Sequence, residues 1–275
     1  MFRTISVSPL ATILLLSTMA AAYPQTNEPQ IYSTAIYLKV APANEAAFVE
    51  FYKTGAGAKV VRARMQADPD TMGWSLRKAA YAGDPAPQAN FVIVAAGKGA
   101  PKDPDPAKRD ELYRTASGMN YAQYMAKVRA MSEQVGQTMS HIHHRTDNYT
   151  SMEGDAVVVT RLKIAEGKSI NDLSDFERDF RFPLAAATVK EGGSRGWSFG
   201  HMAFPGTALR YDATEAVVYK DLASAMGNRQ GAAPTAFAKA FPTKDYVRYV
   251  NDRRALSHVV RTDVYRVVVA HRPSH

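Results

Sequence analysis

Two stretches of this chain spell nearly the same sentence. Tyr121-Ala-Gln-Tyr124-Met-Ala-Lys-Val-Arg129-Ala130-Met131-Ser132 recurs as Tyr246-Val-Arg-Tyr249-Val-Asn-Asp-Arg-Arg254-Ala255-Leu256-Ser257. Gly73-Trp74-Ser75 recurs as Gly196-Trp197-Ser198 and uses both tryptophans of the protein. Leu38-Lys39-Val40-Ala41 is answered by Leu162-Lys163-Ile164-Ala165. Three echoes in one order, at an offset of 123 to 125 positions, mark a duplicated unit. Whatever one half folds into, the other must fold into as well.

Each half opens with period-two alternation, the mark of a half-buried strand. Ile36, Leu38 and Val40 oppose Tyr37 and Lys39; Thr160, Leu162 and Ile164 oppose Val159, Arg161 and Lys163. Helical spacing follows over 44–66 and 170–190, carried by Phe48, Phe51 and Tyr52 and by Leu173, Phe176 and Phe180, with Pro183 expected to break or kink the second helix. The tryptophan strands come next, over 72–82 and 196–204, each ending in a turn (83–87; Pro205-Gly206) that leads to a short apolar strand over 90–95 or 215–219. Polar connectors over 97–118 and 223–244 read as surface loops with little regular structure. Asn120 and Asp245 stand as N-caps before the repeated tyrosine helix, and final strands over 139–146 and 264–271 close the halves.

The order is β-α-β-β-α-β, twice, which is the ferredoxin-like unit. The expected class is therefore α+β, with one unit over 23–150 and the other over 151–275, each burying its free sheet face against the other. This element order and repeat length resemble the dimeric α/β-barrel superfamily, which holds antibiotic-biosynthesis-type monooxygenases, stress-responsive barrel proteins, and haem-degrading and chlorite-dismutase-like enzymes. Here tandem duplication would supply both halves of the barrel within one chain. The resemblance implies a lumen that holds a small molecule and, if there is catalysis, oxygenation or isomerisation that leans little on cofactors.

Residues 1–22 have the pattern of a cleaved secretory signal: Arg3, a short apolar run through Leu16, and Ala20-x-Ala22 before Tyr23. The apolar run falls short of the roughly 20 residues a membrane span needs, so a periplasmic or secreted protein without stable membrane insertion is expected. The chain has no cysteine, which excludes thiol catalysis and disulfide stapling. Its formal charge of +8, or +7 without Arg3, is spread and interleaved with acids. That suits a solvated basic surface better than a nucleic-acid stripe. The expected partner is a small molecule, and the chain is expected to be a monomer or a homodimer.

Three groups could carry chemistry. Lys78 and His201 occupy equivalent positions two pleats from Trp74 and Trp197, where a titratable group beside an indole makes a pocket wall with a proton donor or acceptor; packing beneath helices is the alternative. His141 and His143 share a strand face, with His144 on the other, at the spacing that offers two imidazoles to a divalent metal. The haem-handling members of the superfamily make haem ligation the parallel expectation there; otherwise no cofactor is expected. Tyr37, Lys39, Arg161 and Lys163 point away from the helix-packing face, toward the lumen, where cations and rings suit an aromatic acid or phenolate. Alternatively they pair across the interface with acids such as Glu215. Gly55-Ala-Gly-Ala-Lys59 lacks the spacing of a phosphate loop, and no nucleophile-elbow pattern supports serine hydrolase chemistry.

Overall fold

The computed structural model describes residues 29–81, 89–101, 104–147, 149–204, 210–227 and 232–273. The expected signal segment and the turns at 83–87 and 205–206 lie outside them. The first half runs β1 (Ile31–Val40), α1 (Glu45–Lys53), α2 (Ala56–Ala67), β2 (Thr71–Tyr81), β3 (Phe91–Lys98), α3 (Pro106–Ser117), α4 (Tyr121–Met131) and β4 (Ser132–Arg145). The second runs β5 (Ala156–Ile164), α5 (Ile170–Phe176), a π-helical turn (Glu177–Arg181), α6 (Phe182–Lys190), β6 (Gly196–Met202), β7 (Ala213–Tyr219), α7 (Leu222–Gly227), α8 (Ala232–Ala240), α9 (Tyr246–Leu256) and β8 (Ser257–His271).

The strands close into one barrel in the order β1-β3-β2-β8-β5-β7-β6-β4. Every pairing is antiparallel. Each half contributes four neighbouring strands in ferredoxin-like order, and two seams join the halves: β2 with β8, and β4 with β6. Closure satisfies strand edges that separate sheets would leave open. An eight-stranded barrel is just wide enough inside for side chains or one small ligand.

Alternation decides what faces out. Leu38 and Val40 leave β1 on its outer side and meet Phe48, Phe51 and Tyr52 of α1 in a buried core. A matching core in the second half joins Leu162, Leu173, Trp197 and Phe199. The repeated helix docks through Tyr124 and Val128 in one half and Tyr249 in the other. Both expected caps are present, with Asn120 Oδ1 accepting from Gln123 N at 2.8 Å and Asp245 Oδ1 from Arg248 N at 2.6 Å.

The connectors are more regular than expected. Residues 97–118 hold α3, whose start is fixed by Asp105 accepting from Ala107 N and Lys108 N, with Pro106 in the first turn. Residues 223–244 hold α8 and most of α7. Pro183 does not end its helix. It occupies the first turn of α6, where no N–H bond is required, after the wider π turn. No helix among the described residues is long and apolar enough to cross a membrane.

Candidate functional site

The inward faces of the strands enclose a cavity of about 180 Å³. Ser33, Ala35 and Tyr37 of β1 line it, with Ser75 and Arg77 of β2, Thr138, Ser140 and Ile142 of β4, Val159 and Arg161 of β5, and Tyr265 of β8. Tyr149, Thr150 and Ser151, from the connector between the halves, border it together with Arg145 and Arg272. Trp74 also borders the cavity, and its ring lies 5.2 Å from Tyr52 and 5.6 Å from His271.

The interior is cationic. Arg161 is 6% exposed and forms an ion pair with the buried Asp263. Its Nη2 donates to the Tyr37 hydroxyl at 3.2 Å, and its guanidinium lies 5.3 Å from the Tyr211 ring. Arg261 Nε also donates to Asp263, at 2.7 Å. Arg77, likewise 6% exposed, donates from Nε to Ser75 Oγ at 3.0 Å. Among the described residues neither Arg77 nor Arg145 is paired with an acid. Burial pushes the Tyr37 phenol up, but the adjacent Arg161 charge outweighs it and leaves Tyr37 below the usual tyrosine range. Tyr211 and Tyr265 lie above it, chiefly through burial.

The expected site residues are divided between the two sides of the wall. Tyr37, Arg161 and Trp74 border the cavity. Lys39 is exposed beyond it at the end of β1, and Lys163 pairs with Asp212 at 2.8 Å. Lys78 pairs with Glu45 at 2.5 Å on the helix side. Trp197 is fully buried beneath the second-half helices, and its Nε1 donates to Glu215 Oε1 at 2.7 Å. Glu215 therefore serves no lumen cation. It neighbours Thr214 and Ala216, which face the cavity, so alternation puts it on the outer side. There it accepts from Arg181 at 2.6 Å and Arg253 at 2.9 Å, while Arg253 also reaches Glu177 at 2.8 Å.

Cavity residues outside the expected set include Arg77, Arg145, Arg272 and Tyr265, and Asp263 pairs with Arg161. The available signal lay in β2: Trp74 and Leu76 share one face with the apolar bulk, which assigns Ser75 and Arg77 to the other.

His201 joins His141 and His143 on the outer face, where β6 pairs with β4. Their ligand atoms all lie within 4.8 Å of one another, and His143 Nε2 is 2.5 Å from His201 Nδ1. A register shift between Ile142 and His144 inserts His143 as an extra residue in β4. His143 and His144 consequently both look outward, and the expected split of His144 onto the opposite face does not occur: its ring lies 6.4 Å from that of the outer-core residue Phe199. Its Nε2 is 3.0 Å from both the carbonyl and the hydroxyl oxygen of Ser174. Burial lowers the basicity of His141 and His201, and burial with the neighbouring imidazoles takes His143 down to about 3. All three rings are therefore neutral at neutral pH. Three neutral imidazoles so placed can hold a metal ion.

No protein-family model matches the chain, and no curated protein matches it. Solved structures share its fold. A candidate monooxygenase from Fusobacterium nucleatum superposes with a TM-score of 0.56 at 10% identity, covering 90% of this chain and 97% of that one. An anthrone oxidase-like protein superposes at 0.52 and 9% identity, covering 90% and 95%. A haem-binding protein from Thermus thermophilus is more remote, at 0.43 and 8% identity over 87% and 91%. The chain has the ferredoxin-like dimeric α/β-barrel fold, with both halves in one polypeptide.

Proposed function

We propose that the barrel binds a small anionic aromatic molecule, of the aryl carboxylate or phenolate class, in its lumen. The observation that carries this is the cavity itself, walled by Arg77 and Arg145, neither of which has an acidic partner among the described residues. A buried guanidinium is costly unless an anion offsets its lost hydration. The cavity, at about 180 Å³, has room for roughly six waters at about 30 Å³ each, a bulk one ring system with a polar substituent can replace. Tyr37 and Tyr265 supply aromatic surface on the cavity wall.

In catalytic form, the same site would carry out oxygenation or isomerisation with no resident cofactor. Tyr37, its phenol lowered by Arg161, is then the group that exchanges a proton with a phenolic or enolic substrate. That role was expected of His201 and Lys78, but both lie on the outer side of the wall. The oxygenase-type names of the two solved barrels support this form only at the level of fold. Export as a periplasmic or secreted protein, with residues 1–22 removed, belongs to the same proposal.

Calorimetric titration with a panel of aryl carboxylates, phenols and their neutral analogues tests it. Binding is expected for the anions, and Arg77→Met should weaken it roughly 10- to 100-fold, the worth of one charge-assisted hydrogen bond. Equal binding of neutral analogues, or indifference to Arg77→Met, rejects the reading.

A further inference from the structure

The outer-face histidines are independent of the lumen. Strand β4 presents Ser140 and Ile142 to the cavity and His141 and His143 to the opposite side, while β6 presents Ser198 inward and His201 outward. Two of the ligands thus belong to the first half and one to the second, meeting across a seam. Tyr32 lies over His141 with ring centroids 5.1 Å apart and planes 29° apart, which limits the tilt of that imidazole. His144 is engaged with Ser174.

We infer that His141, His143 and His201 form a binding site for one divalent transition-metal ion of the zinc or copper type, which fastens the two halves of the barrel together. Metal–nitrogen bonds of about 2.0–2.1 Å in tetrahedral array place neighbouring nitrogens roughly 3.4 Å apart. The His143–His201 pair, at 2.5 Å, has to open by less than about 1 Å, and His141 has to close in from no more than 4.8 Å. Both are side-chain adjustments on fixed strands. The donor set is all imidazole, which suits zinc, copper or nickel and not the oxygen-seeking magnesium or calcium. A porphyrin fills the four equatorial positions of its iron and leaves two opposed ones. Three converging imidazoles therefore match a bare ion and not haem. The triad is half-buried, so a fourth position remains open to water or an added anion.

Among the described residues the other seam has no such site. Lys78 of β2, the equivalent of His201, pairs in register with Arg266 of β8. One ion per chain is the expected stoichiometry.

The full chain, stripped with chelator, is titrated with Zn²⁺ by calorimetry, with Co²⁺ by visible absorption, and with Cu²⁺ by electron paramagnetic resonance. Expected are one ion per chain, a higher melting midpoint with Zn²⁺, and Cu²⁺ hyperfine structure from three nitrogens. His141→Gln and His201→Gln should each weaken binding at least tenfold, whereas Arg77→Met leaves it unchanged. Sub-stoichiometric binding, a signal from fewer than three nitrogens, or full affinity in both histidine variants overturns the inference. The copper spectrum needs no variant, so misfolding of a substituted chain leaves the test intact. Loss of ligand binding in the lumen with retained metal binding, or the converse, separates this inference from the proposed function.

Discussion

Glu215 and Glu177 share a buried pocket beneath the second-half helices and are driven in opposite directions. Burial pushes both carboxyls up. For Glu215, however, Arg181 and Arg253, with the Trp197 hydrogen bond, outweigh burial and hold it well below the usual carboxylate range. For Glu177, burial prevails over Arg253, with Glu215 adding repulsion, and the group stays raised. One of its oxygens, Oε2, has no hydrogen-bond partner among the described residues. A depressed folded value means that Glu215 contributes stability above its unfolded value near ~4.3, which is lost as pH falls below it. The raised value of Glu177 works the other way: its contribution is complete in acid and disappears as pH rises through the folded value. Glu215→Gln should therefore cost about 3–5 kcal/mol at pH 7, a loss that narrows toward pH 4 and below. Glu177→Gln should hold or raise stability at pH 7. Urea denaturation at several pH values decides this, and equal damage from both substitutions would contradict the assignment. At this scale the sequence disclosed polarity without direction. Alternation correctly sent Tyr37 and Arg161 inward, but no local pattern tells which acid meets which arginine when Arg253 is 38 residues from Glu215.

Among the secondary elements, β4 and β6 approach closely at Gly200. A Cβ on Gly200 would lie 2.5 Å from the carbonyl oxygen of His141, a backbone atom that cannot rotate away. Gly200→Ala should separate the strands there, cost about 1–3 kcal/mol, and disturb the imidazoles alongside. Gly136→Ala, where the nearest atom belongs to the Tyr37 ring at 3.7 Å, should be tolerated. Denaturation midpoints of the two variants check this; similar losses would show that the close approach is immaterial. Strands and the repeated tyrosine helix were legible because their apolar periods are long and occur twice. Helix α3 was readable in principle from Asp105-Pro106 at its start and Gly118 at its end, the last in a left-handed conformation with φ of 75°. The extra residue at His143 was not legible. A bulge is decided by the partner strand, and β6 lies in the other half.

For the molecule as a whole, neither half is complete. A fragment ending at residue 150 would leave β2 without β8 and β4 without β6, two open edges and a bare sheet face. It should self-associate or precipitate, and size-exclusion chromatography with light scattering would show this; a folded monomeric half would refute the account of closure. The repeat made this architecture visible before any coordinate. It could not show the axis relating the halves, and that axis has a consequence. Tyr37 and Arg161 hold equivalent positions, 124 residues apart, and touch one another, so their contact lies on the pseudo-twofold axis. In an assembly of two identical subunits a residue there meets its own copy, phenol against phenol or guanidinium against guanidinium. Joining the halves in one chain lets the two equivalent places drift into unlike chemistry. The chamber thereby acquires a head and a tail, so that the two ends of the proposed guest would meet unlike groups.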